Sequence, residues 1–337
     1  MAESVALGVI GVGRIGRLHV NNITAHIPEA RVVAVADVIE EAARQVAQTY
    51  HIPHAYGDPR ELMEREDIDA VVICSSTNTH AELIEMAARA GKHAFCEKPL
   101  DLDVERVRRV LRVVEETGIK LQVGFQRRFD PSFRRARELI AAGAIGEPHL
   151  VRITSRDPAP PPIEYIKVSG GIFLDMTIHD FDMSRFLLGD EPEEIFATGG
   201  VFVDPAIGEA GDIDTALITL RFRSGALVSI DNSRKAVYGY DQRVEVFGSG
   251  GMIAVGNKMP DQVVHLDGSG THGPKPVYFF MERYTEAYIE EMRAFVRSIL
   301  EGTPPPVSGW DGLVPVIMGH AAWQSYREHR PVPIHWE

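Results

Sequence analysis

Residues 5–16 read VALGVIGVGRIG. An uncharged run rich in Val and Ile ends in a glycine turn. The turn opens into RIGRLHVNNITAHI, whose apolar residues recur at helical spacing. Gly11, Gly13 and Gly16 fall in the pattern G-x-G-x-x-G. A buried strand turning sharply into a helix needs small residues at these places. One makes the turn, one leaves backbone amides open to an anion, and one lets the helix lie close to the strand. The helix start then offers free N–H groups and partial positive charge. The motif alone is weak; its surroundings decide.

Working outward, RVVAVADV reads as a second strand, EEAARQVAQTY as a helix, IDAVVICSS as a third strand and THAELIEMAARAG as a helix stopped at Gly91. HAFCEKPL, DVERVRRVLRVVEETG and IKLQVGFQ continue as strand, helix and fifth strand. Apolar strands alternating with helices predict an α/β domain over residues 1–124, with a parallel sheet covered on both faces. The pattern then changes. PSFRRARELIAAGAIG is a helix, PHLVRITSR a strand, and DPAPPPIEY a loop, because proline lacks the ladder donor. A helix is expected over 171–188. The runs EIFATGGVFV, DTALITLRF, ALVSIDNSRKA, QRVEVFG and MIAVG predict an antiparallel sheet with one wet face. Two helices, about 282–301 and 310–327, close the chain. Residues 125–337 thus read as an α+β domain with an open, mostly antiparallel sheet. Its C-terminal helix is a candidate to pack back on the first domain.

The context of the glycine turn points to a dinucleotide. Asp37 ends the second strand, 21 residues after Gly16, where a carboxylate receives ribose hydroxyls. Val38 follows it in place of an arginine that could hold a 2′-phosphate, and Glu40 and Glu41 add negative charge. NAD is therefore expected over NADP. SSTNTH (75–80) puts short polar side chains at the carboxyl end of the third strand, where they can line a cofactor groove or cap the next helix. The cofactor-binding set expected is Gly11, Gly13, Arg14, Ile15, Gly16, Asp37, Val38, Ser75, Thr77, Asn78, His80, Glu97, Lys98 and Gln126.

The 337 residues carry a net charge of −13 and 45% hydrophobic residues. That size suits two domains, and the acidic balance disfavours nucleic acid and anionic lipid as partners. No apolar run is long enough to span a membrane, and no signal peptide is evident. Cys74 and Cys96 sit in apolar strand contexts and read as buried thiols of a cytoplasmic protein.

Two segments carry chemistry. CEKPL (96–100) puts Lys98 at the carboxyl edge of the sheet, where it can hold charge near a developing alkoxide or simply pair with Glu97. LDMTIHDFD (174–182) places Asp175 and His179 four apart. On one helix they share a face, so Asp175 can fix the tautomer while the other ring nitrogen takes a proton. Asp180 and Asp182 read as solvated or capping charges. A metal site is the rival, but this spacing gives only two convergent ligands, so none is expected.

GVGRIG, CEKPL and GGIFLDMTIHDFDM together resemble the Gfo/Idh/MocA oxidoreductases. QVGFQRRFDPSF (122–133), SRDPAPPP (155–162) and AVYGYDQRVEVFGSGGM (236–252) are similar to the members that oxidise inositols. The resemblance covers essentially the whole chain. It implies a Rossmann domain, homotetramers formed through the second sheet, a catalytic trio of Lys98, Asp175 and His179, and a cis Pro99. It also implies that Arg127, Asp157, Tyr238 and Tyr240 lie near substrate. Gln126 and the prolines of 158–162 depart from some relatives. The activity implied is NAD-dependent oxidation of a ring hydroxyl of a cyclic polyol such as myo- or scyllo-inositol. An aldose or rare hexose is the alternative substrate, and a non-catalytic NAD-binding regulator the alternative of another class.

Overall fold

The computed structural model describes residues 4–336, which form two compact units. The first contains the residues up to Phe129 together with Glu286–Val316, and the second contains Asp130–Thr285 and the chain from Ile317 onward.

In the first unit β1 (Val5–Ile10), α1 (Arg14–His26), β2 (Ala30–Ala36), α2 (Glu40–Tyr50), β3 (His54–Tyr56) and α3 (Pro59–Met63) are followed by β4 (Ala70–Ile73), α4 (Thr77–Arg89), β5 (His93–Glu97), α5 (Val104–Thr117) and β6 (Leu121–Gly124). The strands form one parallel sheet in the order β3-β2-β1-β4-β5-β6. Every residue of β1 and β4 is buried, as a sheet covered on both faces requires. The order reverses between β1 and β4, and ligands of such sheets bind outside the carboxyl ends at that point. Five strands are legible in the sequence. The sixth, β3, is three residues long, too short for a periodic signal.

In the second unit α6 (Pro131–Ala141), β7 (Pro148–Arg156), α7 (Ile163–Ile166), α8 (Ile172–Asp175) and α9 (Ile178–Leu188) precede β8 (Pro192–Gly200), α10 (Pro205–Glu209), β9 (Thr215–Phe222) and β10 (Leu227–Ser233). β11 (Asp241–Gly248), β12 (Gly251–Val255), the hairpin β13 (His265–Asp267) and β14 (Gly270–His272), and α11 (Phe280–Arg283) follow. The chain then runs through α12 (Thr285–Glu301) and α13 (Gly309–Glu328), whose residues Glu286–Val316 count with the first unit, to β15 (Val332–Pro333). Seven strands pair in the order β12-β11-β7-β10-β9-β8-β15, and only β7 with β10 is parallel. Strand β9 alternates buried and exposed residues along its length, so one face is packed. The other face exposes Leu150, Leu217, Leu227, Phe247 and Met252.

Several expectations change. The domain division at 124/125 misses the return of Glu286–Val316, which belongs to the first unit. Its helix α12 sets Met292, Phe295 and Val296 into the core beside Val9, Val72 and Phe95. The helix expected over 171–188 is two helices. After Asp175 the amide of Thr177 reaches back five residues to Ile172, whereas that of Asp180 reaches back only three to Thr177. The strand expected through Val203 stops at Gly200, because the amides of Phe202, Val203 and Asp204 turn onto the Asp214 carboxylate at 2.9, 2.8 and 3.1 Å.

Candidate active-site residues

At the glycine turn, Gly11 has φ +85°, and a Cβ there would stand 2.6 Å from the Ser75 amide. A Cβ on Gly16 would stand 1.8 Å from the Gly11 carbonyl oxygen, so that position sets the helix–strand approach. A Cβ on Gly13 would meet no atom of a non-neighbouring described residue within 4 Å. No side chain caps α1, so its first amides remain available to an anion. Close packing on two sides and open space on the third is the cradle a pyrophosphate needs.

Asp37 stands at the end of β2 and also braces this turn: its carboxylate accepts the Val12 amide at 2.8 Å and the Ile39 amide at 2.9 Å. The bracing was not legible in the sequence. Val38 is 90% exposed and carries no cation for a 2′-phosphate. Ser75 and Thr79 join their hydroxyls at 2.7 Å at the end of β4, next to Thr77 and Asn78 at the start of α4. His80, expected in the cofactor-binding set, lies in the first turn of α4. It is buried, with Nδ1 2.7 Å from the Pro99 carbonyl and Nε2 3.0 Å from the Ser75 carbonyl. Burial lowers its pKa, with the Pro99 and Ser75 carbonyls opposing, and the ring lies between the two loops that carry them.

Lys98 directly follows β5, and the Lys98–Pro99 bond is cis. Glu97 turns inward, its Oε1 2.8 Å from His19 Nε2. Glu291 of α12 is fully buried beside them, 4.0 Å from the same nitrogen. Ligand atoms of His19, Glu97 and Glu291 lie within 4.8 Å of one another. Neither oxygen of Glu291 finds a hydrogen-bond partner among the described residues, and burial, reinforced by the charge of Glu97, pushes its carboxyl well above the usual range. These three candidate ligands belong to the first unit, whereas the Asp175–His179 segment that raised the metal alternative belongs to the second. Gln126 and Arg127 are buried in a 3-10 turn over Gln126–Phe129.

In the second unit, Asp175 and His179 keep partial exposure, whereas Asp180, Asp182, Ser184 and Arg185 are buried. The reading of Asp180 and Asp182 as solvated charges is therefore corrected. Asp180 Oδ2 accepts Asn232 Nδ2 of β10 at 2.8 Å, and Thr177 donates to Asn232 Oδ1 at 2.5 Å. A buried carboxylate with a built partner is a docking point for a helix.

Asp175 is held from two sides. Tyr165 of α7 donates to Oδ1 at 2.8 Å, and Arg234 Nη1 stands 3.2 Å from Oδ2. The other arm of Arg234 reaches Asp212 at 3.3 Å, and Asp212 accepts the Ile172 amide at 2.9 Å. Burial raises the Asp212 pKa, with the Ile172 amide and Arg234 opposing. Sequence reading missed Tyr165, Asp212 and Arg234. Arg234 follows a strand as one polar residue among several, and Tyr165 looked like part of a proline loop.

Asp157 lies near this group, its charge acting on both Tyr165 and Arg234. Tyr238 belongs to a different network: its hydroxyl donates to Asp241 at 2.6 Å and accepts from Arg156 at 3.0 Å, while Arg156 also pairs with Asp231. Tyr240 is buried edge-to-face against Tyr284.

The sequence model of an oxidoreductase family with an NAD-binding Rossmann fold matches residues 5–125, and that of the GFO/IDH/MocA C-terminal domain matches residues 133–254. The chain belongs to the Gfo/Idh/MocA oxidoreductase family. This family member is an NAD-dependent oxidoreductase; the first matched region falls within its first unit and the second within its second. The myo-inositol 2-dehydrogenase of Thermotoga maritima is 52% identical over 328 residues, covering 97% of this chain and 98% of the relative. An inositol 2-dehydrogenase of Rhizobium meliloti is 50% identical over 331 residues, covering 98% and 99%. Among solved structures, scyllo-inositol dehydrogenase from Lactobacillus casei with bound NAD(H) and scyllo-inositol superposes with a TM-score of 0.92 at 31% identity, covering 98% and 99%.

Proposed function

We propose that this chain oxidises a ring secondary hydroxyl of an inositol, myo or scyllo, to the inosose. The observation that carries this reading is identity of half or more, over nearly the full length, to enzymes named for that reaction. The intact Lys98, Asp175 and His179 support it, as does the open cradle at Gly13.

NAD supplies the acceptor for the hydride that leaves the substrate carbon. The chain's own residues handle the proton and the charge. His179 takes the hydroxyl proton at a ring nitrogen, and Lys98 holds the oxygen as negative charge builds. Asp175 stabilises the imidazolium. Arg127 and Asp157 are proposed to bind ring hydroxyls, with Tyr238 and Tyr240 supporting the site's rim. Buried polar partners reject the wrong epimer, because a misplaced hydroxyl leaves them unpaired. The test is the initial rate of NAD reduction with myo-inositol, scyllo-inositol and a panel of aldoses. Faster turnover of an aldose than of either inositol would replace the substrate, and no reduction with any polyol would favour a regulator.

We also propose a cytoplasmic homotetramer. The exposed apolar face of the second sheet favours assembly between copies. Two thiols whose pKa burial raises favour a reducing compartment. Light scattering on Leu217→Lys checks the interface; an unchanged mass would remove it.

A further inference from the structure

We propose that Arg234 and Tyr165 are positioning residues for Asp175, setting the basicity of His179 through it. The inference rests on the catalytic reading of Asp175 and His179 given above. Each carboxylate oxygen of Asp175 has its own donor: the Tyr165 hydroxyl on Oδ1 at 2.8 Å and Arg234 Nη1 on Oδ2 at 3.2 Å. The two donors come from different parts of the chain. Arg234 follows β10, and Tyr165 is carried by α7, just beyond the prolines at 158–162. The Arg234 side chain is 1% exposed and bridges Asp175 to Asp212, which fixes the start of α8 through the Ile172 amide. The carboxylate is thus anchored in position as well as in charge.

Neither donor loses its proton in the working range. Arginine stays charged, and burial together with the Asp175 charge raises the Tyr165 phenol far above neutrality. The titratable and charged groups acting on this pair are Asp175, Asp157, Asp212 and, on Tyr165, Arg234 itself. On the element of His179 itself, Asp180 is bonded to Asn232. Arg234 offsets part of the field that Asp175 exerts on the imidazole. Without that offset, the unopposed carboxylate favours the imidazolium. His179 then becomes a free base only at higher pH.

The experiment is the pH profile of kcat/KM for inositol oxidation in wild type, Tyr165→Phe, Arg234→Gln and Arg234→Lys, with Kd for NAD measured in parallel. Arg234→Gln is expected to move the acid limb upward by about one pH unit, the effect of removing one nearby charge. Arg234→Lys is expected to restore most of that displacement. Tyr165→Phe, which keeps the ring and removes only the hydroxyl, is expected to move the limb the same way by roughly half a unit, the equivalent of one hydrogen bond. Kd for NAD stays unchanged in all of them. An acid limb that stays in place or moves downward in Tyr165→Phe overturns the inference, whether or not Arg234→Gln folds. His179→Ala is the control for the underlying reading. If it keeps wild-type turnover, the catalytic assignment fails. If it is inactive while the limbs of the other variants stay in place, only the positioning role fails.

Discussion

Asn232 ties the second sheet to the helix that carries His179, donating to the buried Asp180 carboxylate at 2.8 Å. Its carbonyl accepts the Thr177 hydroxyl from the residue just before that helix. Removing the amide strips a buried carboxylate of this donor. Asn232→Ala is expected to lose about 1.5–3 kcal/mol, the range for hydrogen bonds to charged groups. Urea unfolding measures the loss, and turnover falls with it because α9 shifts. A midpoint within error of wild type would show that the helix is anchored elsewhere.

The glycine turn separates a packing role from a binding role. Gly16→Ala drives a methyl into the Gly11 carbonyl and is expected to destabilise the fold and weaken NAD together. Gly13→Ala meets no neighbour within 4 Å, so it should fold normally and lose NAD affinity alone. Thermal melts with and without NAD distinguish the two. Equal melting temperatures in the apo variants would contradict this division.

Cofactor choice follows from Asp37 and Val38. Asp37→Ser with Val38→Arg removes the carboxylate and adds a cation for a 2′-phosphate. The NAD-to-NADP ratio of kcat/KM is expected to fall at least roughly tenfold, the equivalent of one charge-assisted bond. Because Asp37 also holds the Val12 amide, some activity is lost with both cofactors. An unchanged ratio would place discrimination elsewhere.

His179→Ala is expected to reduce turnover at least roughly a hundredfold, the scale of a general base, with NAD affinity nearly unaffected. Lys98→Met should also retain NAD binding while losing oxidation. Stopped-flow hydride transfer separates chemistry from binding in both variants; an unimpaired rate removes the residue from the mechanism.

Glu291 gives a pH-dependent stability term. Its folded pKa lies above the unfolded value near about 4.3, because burial disfavours its charge. Its favourable contribution is complete below the unfolded pKa and is lost as pH rises through the folded pKa. Glu291→Gln keeps the shape without the titration. It is expected to match the wild type in acid and to exceed it progressively as pH rises through the folded pKa. Parallel stability curves for the two proteins would mean that Glu291 keeps its unfolded-state pKa.

Much of this molecule was legible in the sequence because the signals were local. Apolar strands alternating with helical spacing announce a parallel sheet, and G-x-G-x-x-G followed 21 residues later by Asp37 announces a dinucleotide. These patterns depend on neighbours along the chain and on backbone geometry. Likewise, Asp175 and His179 stood out as polar residues within an interior segment, and they are the ones that keep partial exposure there.

What only the tertiary structure decided depends on residues distant in sequence. Whether Asp180 is solvated or buried turned on Asn232, 52 residues away. Asp175 acquires Arg234 from 59 residues away, and Glu97 acquires His19 from 78 residues away. The return of α12 to the first core leaves no mark on its own periodicity, since an amphipathic helix shows that it has an apolar face and not which sheet receives it. A charge buried without a local partner looks like a surface charge until its partner arrives from elsewhere in the chain, because the balance between desolvation and pairing is struck in space and not along the sequence.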